Sequence, residues 1–190
     1  MIDPQQTARE HLRPDEHLYW AGTGDPRRLF TGRDAFLVPF SLLWTSFVVS
    51  SLVAFPRDGA AGPALVIPCV MALVGLHLVV GRFFVKAHRK RTTVYAVTDR
   101  RALIISPRTT REVPIGRTDR TTTWSGGRRW CTVEWNDGDR RDVRSLLTGA
   151  GAMRIYANTG LDGLFGPQPF AFWDVQDGDE LVRELDRASR

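Results

Sequence analysis

Two uncharged apolar runs follow one another in the first half of the chain. Ala35 to Pro56 reads AFLVPFSLLWTSFVVSSLVAFP, and Gly59 to Gly81 reads GAAGPALVIPCVMALVGLHLVVG. Each has the roughly 20 residues that a helix needs to cross a hydrocarbon core. A surface helix of a soluble protein is apolar along one stripe, not all round. The pattern predicts two transmembrane helices, over about 35–56 and 63–81, joined by a short outer loop near Pro56 to Gly62. A secretory signal does not fit, because 34 residues, six of them acidic, precede the first run.

From Thr92 the pattern changes to short alternating segments rich in β-branched and aromatic residues. TTVYAVT and RALIIS flank Asp99-Arg100 as a tight hairpin. TREVPIG, TDRTTTW, CTVEW, DRRDV, AMRIYA and PFAFWDV continue the series, with turns at Asn136-Asp137-Gly138 and Gly149-Ala150-Gly151. Such spacing predicts a small antiparallel barrel or sandwich. A final helix starts at an Asp177 N-cap with Glu180 three residues on, as in a capping box. Leu181, Val182, Leu185 and Ala188 fall on one face of that helix, which is expected to plug the barrel.

Charge orients this plan. Residues 1–34 carry −1, residues 35–81 carry 0, residues 82–91 carry +5 and residues 92–190 carry +1. The basic excess is thus the juxtamembrane segment RFFVKAHRKR, with Arg82, Lys86, Arg89, Lys90 and Arg91. Lys/Arg bias within about 15–20 residues of span ends sets orientation, so both termini are expected in the cytoplasm at the inner membrane. The five cations are expected to touch anionic headgroups without selecting a lipid. If the second helix continues, Arg82, Lys86, Arg89 and Lys90 share a face, with Phe83 and Phe84 at the interface. Nucleic-acid binding is not expected, because the charge abuts a span instead of covering a folded face. On the spans, Ser46, Ser50 and Ala54 form a small-residue stripe expected to face Ala72 and Gly75. His77 reads as a boundary residue. Cys69 and Cys131 lack metal-ligand spacing.

Three segments carry a family resemblance. Tyr95-Ala-Val-Thr98-Asp99-Arg100-Arg101 looks like the opening hairpin of bacterial pleckstrin-homology-like (PH-like) membrane proteins. Trp20-Ala-Gly22 resembles the W-x-G segment that many of them carry before the first span, and FAFWDVQDGDELVREL resembles their last strand and helix. The resemblance implies a membrane α+β protein, with a two-helix transmembrane hairpin followed by a small PH-like antiparallel β-barrel or sandwich and a C-terminal capping helix. Three parts are expected: a cytoplasmic segment 1–34, the hairpin with its basic segment 35–91, and a PH-like domain 92–190 that folds alone. Phosphoinositide-binding pleckstrin-homology domains grip phosphates with basic residues on a long first hairpin loop, whereas the biochemical roles of the bacterial PH-like membrane proteins are largely undefined. With Asp99-Arg100 taken as that loop, a headgroup pocket does not carry over.

No nucleophile with a base, carboxylate pair or metal-ligand cluster emerges, so neither enzymatic activity, a metal nor a cofactor is expected. The expected role is a membrane-tethered binding or scaffold module that presents its β-domain to a protein partner, for instance by strand addition. Homo-oligomerisation stays open. The alternative is an oligomeric pore or transport-accessory subunit.

Overall fold

A computed structural model describes residues 2–54, 63–117, 119–135, 156–161 and 168–190. The expected strand DRRDV, most of AMRIYA, both glycine turns and the outer loop lie outside these residues. Tyr156 and Ala157, the end of AMRIYA, lie in a helical turn, not a strand.

Helix α1 (Pro4–Arg9) is followed by strand β1 (Leu18–Thr23). Helix α2 (Asp34–Ala54) and helix α3 (Pro63–Leu76) carry the two apolar runs. A π-helical turn, His77–Gly81, leads into α4 (Arg82–Thr92), so the second helix continues well past the apolar run. Strands β2 (Val94–Thr98), β3 (Arg101–Ser106), β4 (Thr109–Pro114), β5 (Arg120–Ser125), β6 (Trp130–Trp135) and β7 (Ala171–Val175) precede helix α5 (Gly178–Ala188).

The strands form two antiparallel sheets, ordered β1-β2-β3-β4 and β5-β6-β7. A bridge between Gly24 and Val175 joins β1 to β7. Strands β4 and β5 are not paired, so the barrel is not closed. The class is α+β, as expected, but β1 is new. Leu18–Thr23 lies before the helical hairpin and pairs with β2, which lies after it. The hairpin is therefore inserted within the β-domain, and the boundary drawn at residue 34 separates segments that the sheet joins. Asp99-Arg100 is accordingly the second turn of the β-domain. Its first connection, from β1 to β2, is the hairpin itself.

Both runs form helices long and apolar enough to cross a membrane. Their apolar surface is left uncovered by the rest of the chain, with Phe36, Leu43, Phe47, Val53, Ile67 and Leu73 all exposed. The small-residue stripe does not face the partner helix. Ser46, Ser50 and Ala54 are exposed, whereas Leu37, Ser41 and Val48 are buried and Thr45 is half-buried. Those four follow the 3–4 spacing of one helix face. Gly75 packs against them, since a Cβ there would sit 2.7 Å from Thr45 Oγ1.

The main core lies between the two sheets, around Trp20, Tyr95, Val133, Trp135, Phe172 and Leu185. Phe172 stacks on Tyr95 at 4.7 Å and meets the edge of Trp135 at 5.0 Å. Helix α5 closes one end with Leu181 and Leu185, both fully buried. Asp177 makes no side-chain capping bond, so the expected capping box is not formed. The Trp20-x-Gly22 spacing has a steric cause. Residues two apart share a strand face, and a Cβ on Gly22 would sit 2.5 Å from the Trp20 ring.

Candidate functional site

Because α4 prolongs the second apolar helix, residues four apart on it stack on one face. Arg82, Lys86 and Lys90 are that face, and all three are buried. A buried cation needs a carboxylate and further acceptors to offset its lost hydration. Asp34, the first residue of α2, supplies one carboxylate. Its Oδ1 lies 2.8 Å from Arg82 Nη1 and its Oδ2 3.3 Å from Lys86 Nζ. The Thr31 amide and hydroxyl donate to the same Oδ2, each at 2.8 Å. Lys86 also donates to the Leu29 carbonyl at 2.5 Å. The Arg82 guanidinium lies over the Phe83 ring, 4.5 Å from its centroid. Gly160, at φ +87°, lets the segment 156–161 close on this point. A Cβ there would meet the Arg82 carbonyl oxygen at 2.0 Å.

Asp174 supplies the second carboxylate, through a defect in β7. Cys131 pairs with Val175 but Val133 with Phe172, so β7 carries one extra residue. A bulge of this kind re-aims a side chain. Asp174 takes it up in the left-handed region, at φ +54°. Its amide donates to Thr132 Oγ1 at 3.2 Å and its carbonyl accepts from the Asp25 amide at 2.9 Å. The carboxylate turns toward α4 and meets Lys90 Nζ at 2.5 Å, Arg28 Nη1 at 2.9 Å and Asn158 Nδ2 at 2.7 Å. Lys90 is completed by the Arg28 carbonyl at 2.7 Å. Asp25 lies nearby. Burial raises its carboxyl pKa, but hydrogen bonds from Trp130, the Arg27 amide and Gln176 outweigh that and hold it below its ordinary value.

Arg82, Lys86 and Lys90 share a face as expected, and that face meets the carboxylates of Asp34 and Asp174. Arg91 is exposed and Arg89 half-buried.

Beside α4 lies a cleft of about 560 Å³, within the range of small-ligand sites. Lys86, Arg89 and Lys90 line it from the helix, and Arg108 and Arg111 from the β3–β4 side. Tyr95, Ile104 and Trp173 supply apolar surface, and no carboxylate is among the described lining residues. Arg111 donates to the Gln168 carbonyl at 2.9 Å and the Pro169 carbonyl at 3.4 Å.

The motif residues of the resemblance sit away from this cleft, apart from Tyr95. Trp20 and Tyr95 are core. Thr98 Oγ1 accepts from the amides of Arg100 and Arg101 at 3.2 and 3.0 Å. That hydroxyl closes the turn without the glycine that primed turns favour. Arg100 is exposed, whereas Arg101 is buried and grips Glu16 with two bonds of 2.8 Å. Thr98 Oγ1 donates to Glu16 Oε1, also at 2.8 Å. The Arg101 bond is the largest cause that holds the Glu16 carboxyl down at about 2, and Glu16 raises Arg101 in return. A depressed carboxyl pKa stabilises the fold above the unfolded value, near 4.5, and that contribution fades as pH falls through the folded value. Wild type is expected to lose up to about 3 kcal/mol more stability than Glu16→Gln between pH 4.5 and pH 2. Denaturant titrations of both proteins across that range measure it, and parallel curves would refute the role given to Glu16.

No family model, curated protein or solved structure matches the chain. Among the described residues no group of three His, Cys, Asp or Glu side chains stands where it could hold a metal ion. Asp34, Asp174 and Glu16 were not singled out from sequence. One signal was there: an acid directly before an apolar run, and a second acid in an otherwise apolar strand, both have to be paid for by a cation.

Proposed function

We propose that this chain is a membrane-tethered binding module of the PH-like kind, which presents a cytoplasmic β-domain to a protein partner at the inner membrane face. The insertion of the helical hairpin between β1 and β2 carries this reading. A domain joined to its spans by two strands and two buried carboxylates is held at a set height and orientation. A single flexible linker gives neither. Sheets of four and three strands with a terminal helix support the PH-like assignment. The exposed apolar belt of α2 and α3 favours lipid-facing spans over a pore lining.

Topology and role are tested separately. A reporter active only outside the membrane is expected to be silent after Arg190 and active at Gly59, and the reverse pattern refutes the orientation. For the role, a photo-crosslinking residue at the exposed Thr123 of β5 is expected to give a discrete protein adduct in cells. One at Phe47 is expected to give lipid adducts. Self-adducts from Phe47, together with ion flux in liposomes, would favour the pore instead.

A further inference from the structure

Only two lysines occur in a chain with 24 arginines, and they are Lys86 and Lys90. Both are buried on one face of α4, beyond Gly81, where the apolar run ends. A guanidinium keeps its charge, whereas a buried lysine readily gives up its proton. The chain thus keeps its only dischargeable side-chain amines for this one site.

The two amines are held differently. Lys90 meets a carboxylate directly, Asp174 Oδ2 at 2.5 Å. The short bond of Lys86, also 2.5 Å, goes to the neutral Leu29 carbonyl. Its carboxylate oxygen, Asp34 Oδ2, lies 3.3 Å away and already accepts from the Thr31 amide and hydroxyl at 2.8 Å each. Asp34 Oδ1 is taken by Arg82. Lys86 therefore has two acceptors, on a side chain that is 1 % exposed. An ammonium carries three N–H donors and a neutral amine two.

The surrounding charge favours the neutral form. Arg82 and Lys90 stand one helical turn to either side of Lys86 on α4, and Arg89 and the exposed His88 border the same cleft. Helix α2 offers Asp34, the segment before it Asp25 and Arg28, and β7 Asp174. Arg108 and Arg111 stand across the cleft. In the buried group, Arg82, Lys86, Lys90 and Arg28 share the carboxylates of Asp34, Asp174 and Asp25. Release of one proton balances them. Burial pushes the amines of Lys86 and Lys90 below the ordinary lysine range, although their carboxylates pull the other way.

We propose that Lys86 is a proton switch at the junction of the helical hairpin and the β-domain. As a neutral amine it closes α4 onto segment 29–34. Protonation adds a third N–H that has no acceptor there. Water entering from the cleft satisfies it and parts α4 from the segment that leads into α2. Acidification loosens the junction and alkalinity tightens it. The unfolded chain then binds one proton more than the folded one, so this contribution to stability rises with pH up to the ordinary lysine value, about 10.4.

The test uses the full-length protein in phosphatidylcholine nanodiscs with carbon-13-labelled lysine, which gives two side-chain signals. The signal missing from Lys86→Met belongs to Lys86. In a titration over about pH 6 to 11, it is expected to change from ammonium to amine below the ordinary lysine value and before Lys90 does. Two signals that both stay charged up to about pH 10.4 overturn the switch on wild type alone. So does earlier discharge of Lys90. Hydrogen exchange of the Thr31 amide, which donates to Asp34, reads the junction. Corrected for intrinsic pH dependence, its protection is expected to rise about tenfold as Lys86 loses its proton, the size of one hydrogen bond to a charged group. In Lys86→Met it is expected not to vary with pH. Flat protection through the wild-type titration would show a lysine that titrates without switching, and overturns the proposal. Lys86→Arg, charged throughout, is expected to keep the low protection at every pH. Protection in that variant equal to alkaline wild type would show that a cation closes the junction, and overturns the neutral amine.

Discussion

Asp174→Ala is expected to destabilise the β-domain by about 3–5 kcal/mol, the cost of breaking a buried ion pair from one side. The carboxylate accepts from Lys90, Arg28 and Asn158, and its loss leaves the buried Lys90 and the largely buried Arg28 without their carboxylate. Alanine adds backbone strain, because residue 174 sits at φ +54°, where residues with a Cβ other than Asn and Asp are disfavoured. Asp174→Asn tolerates that backbone but lacks the charge, so it is expected to fall between wild type and alanine. Adding Lys90→Met to Asp174→Ala removes one stranded charge and is expected to recover part of the loss. Denaturant unfolding followed by tryptophan fluorescence in detergent measures all four proteins. A loss below about 1 kcal/mol for Asp174→Ala would mean that the pair is solvated and does not tie α4 to β7.

Residues 92–190 expressed alone are expected not to fold cooperatively, whereas residues 1–34 joined by a flexible linker to 82–190 are. Without the N-terminal segment the first sheet loses its β1 edge, and the core loses Trp20, which is 5 % exposed. Removing a buried aromatic side chain costs about 3–5 kcal/mol. Loss of Glu16 takes one of the two carboxylates that pair with the buried Arg101 and leaves it only Glu112, a further cost. Together these approach the lower end of the stability of a typical domain, about 5–15 kcal/mol. Circular dichroism melts of the two proteins decide the matter. A sharp transition in 92–190 at the temperature of the linked chain would show that β1 is dispensable.

The fragment expectation reverses the one reached from sequence, and the reason is instructive. Hydropathy marks β2 to β7 because each is a local run of suitable residues. Strand β1 is only Leu-Tyr-Trp-Ala-Gly-Thr, ends in a glycine and a threonine, and stands ahead of a membrane hairpin. Nothing local says that its partner lies beyond that hairpin. The small-residue stripe failed differently. Ser46, Ser50 and Ala54 form a true helical face, but two faces of α2 have small or polar residues, and Gly75 packs on the one with Ser41 and Thr45.

The candidate site shows the same division. The face formed by Arg82, Lys86 and Lys90 was legible, since a period of 3.6 residues is a property of the chain itself. What the face meets was not. Lys86 pairs with a carboxylate 52 residues away and Lys90 with one 84 residues away. The second depends on a one-residue bulge that turns Asp174 toward α4.

From sequence alone follow the two apolar helices, the basic segment after them, the α+β class and the amphipathic last helix. All of these rest on local composition and periodicity, because hydrophobic burial acts on each segment according to its own residues. Tertiary structure decided the insertion of the hairpin between β1 and β2, the inward turn of the three cations and the opening of a cleft beside them. Those depend on pairing between distant segments. A charge on a helix face can equally be satisfied by lipid, water or a carboxylate, and only the packed chain brings Asp34 and Asp174 close enough to win.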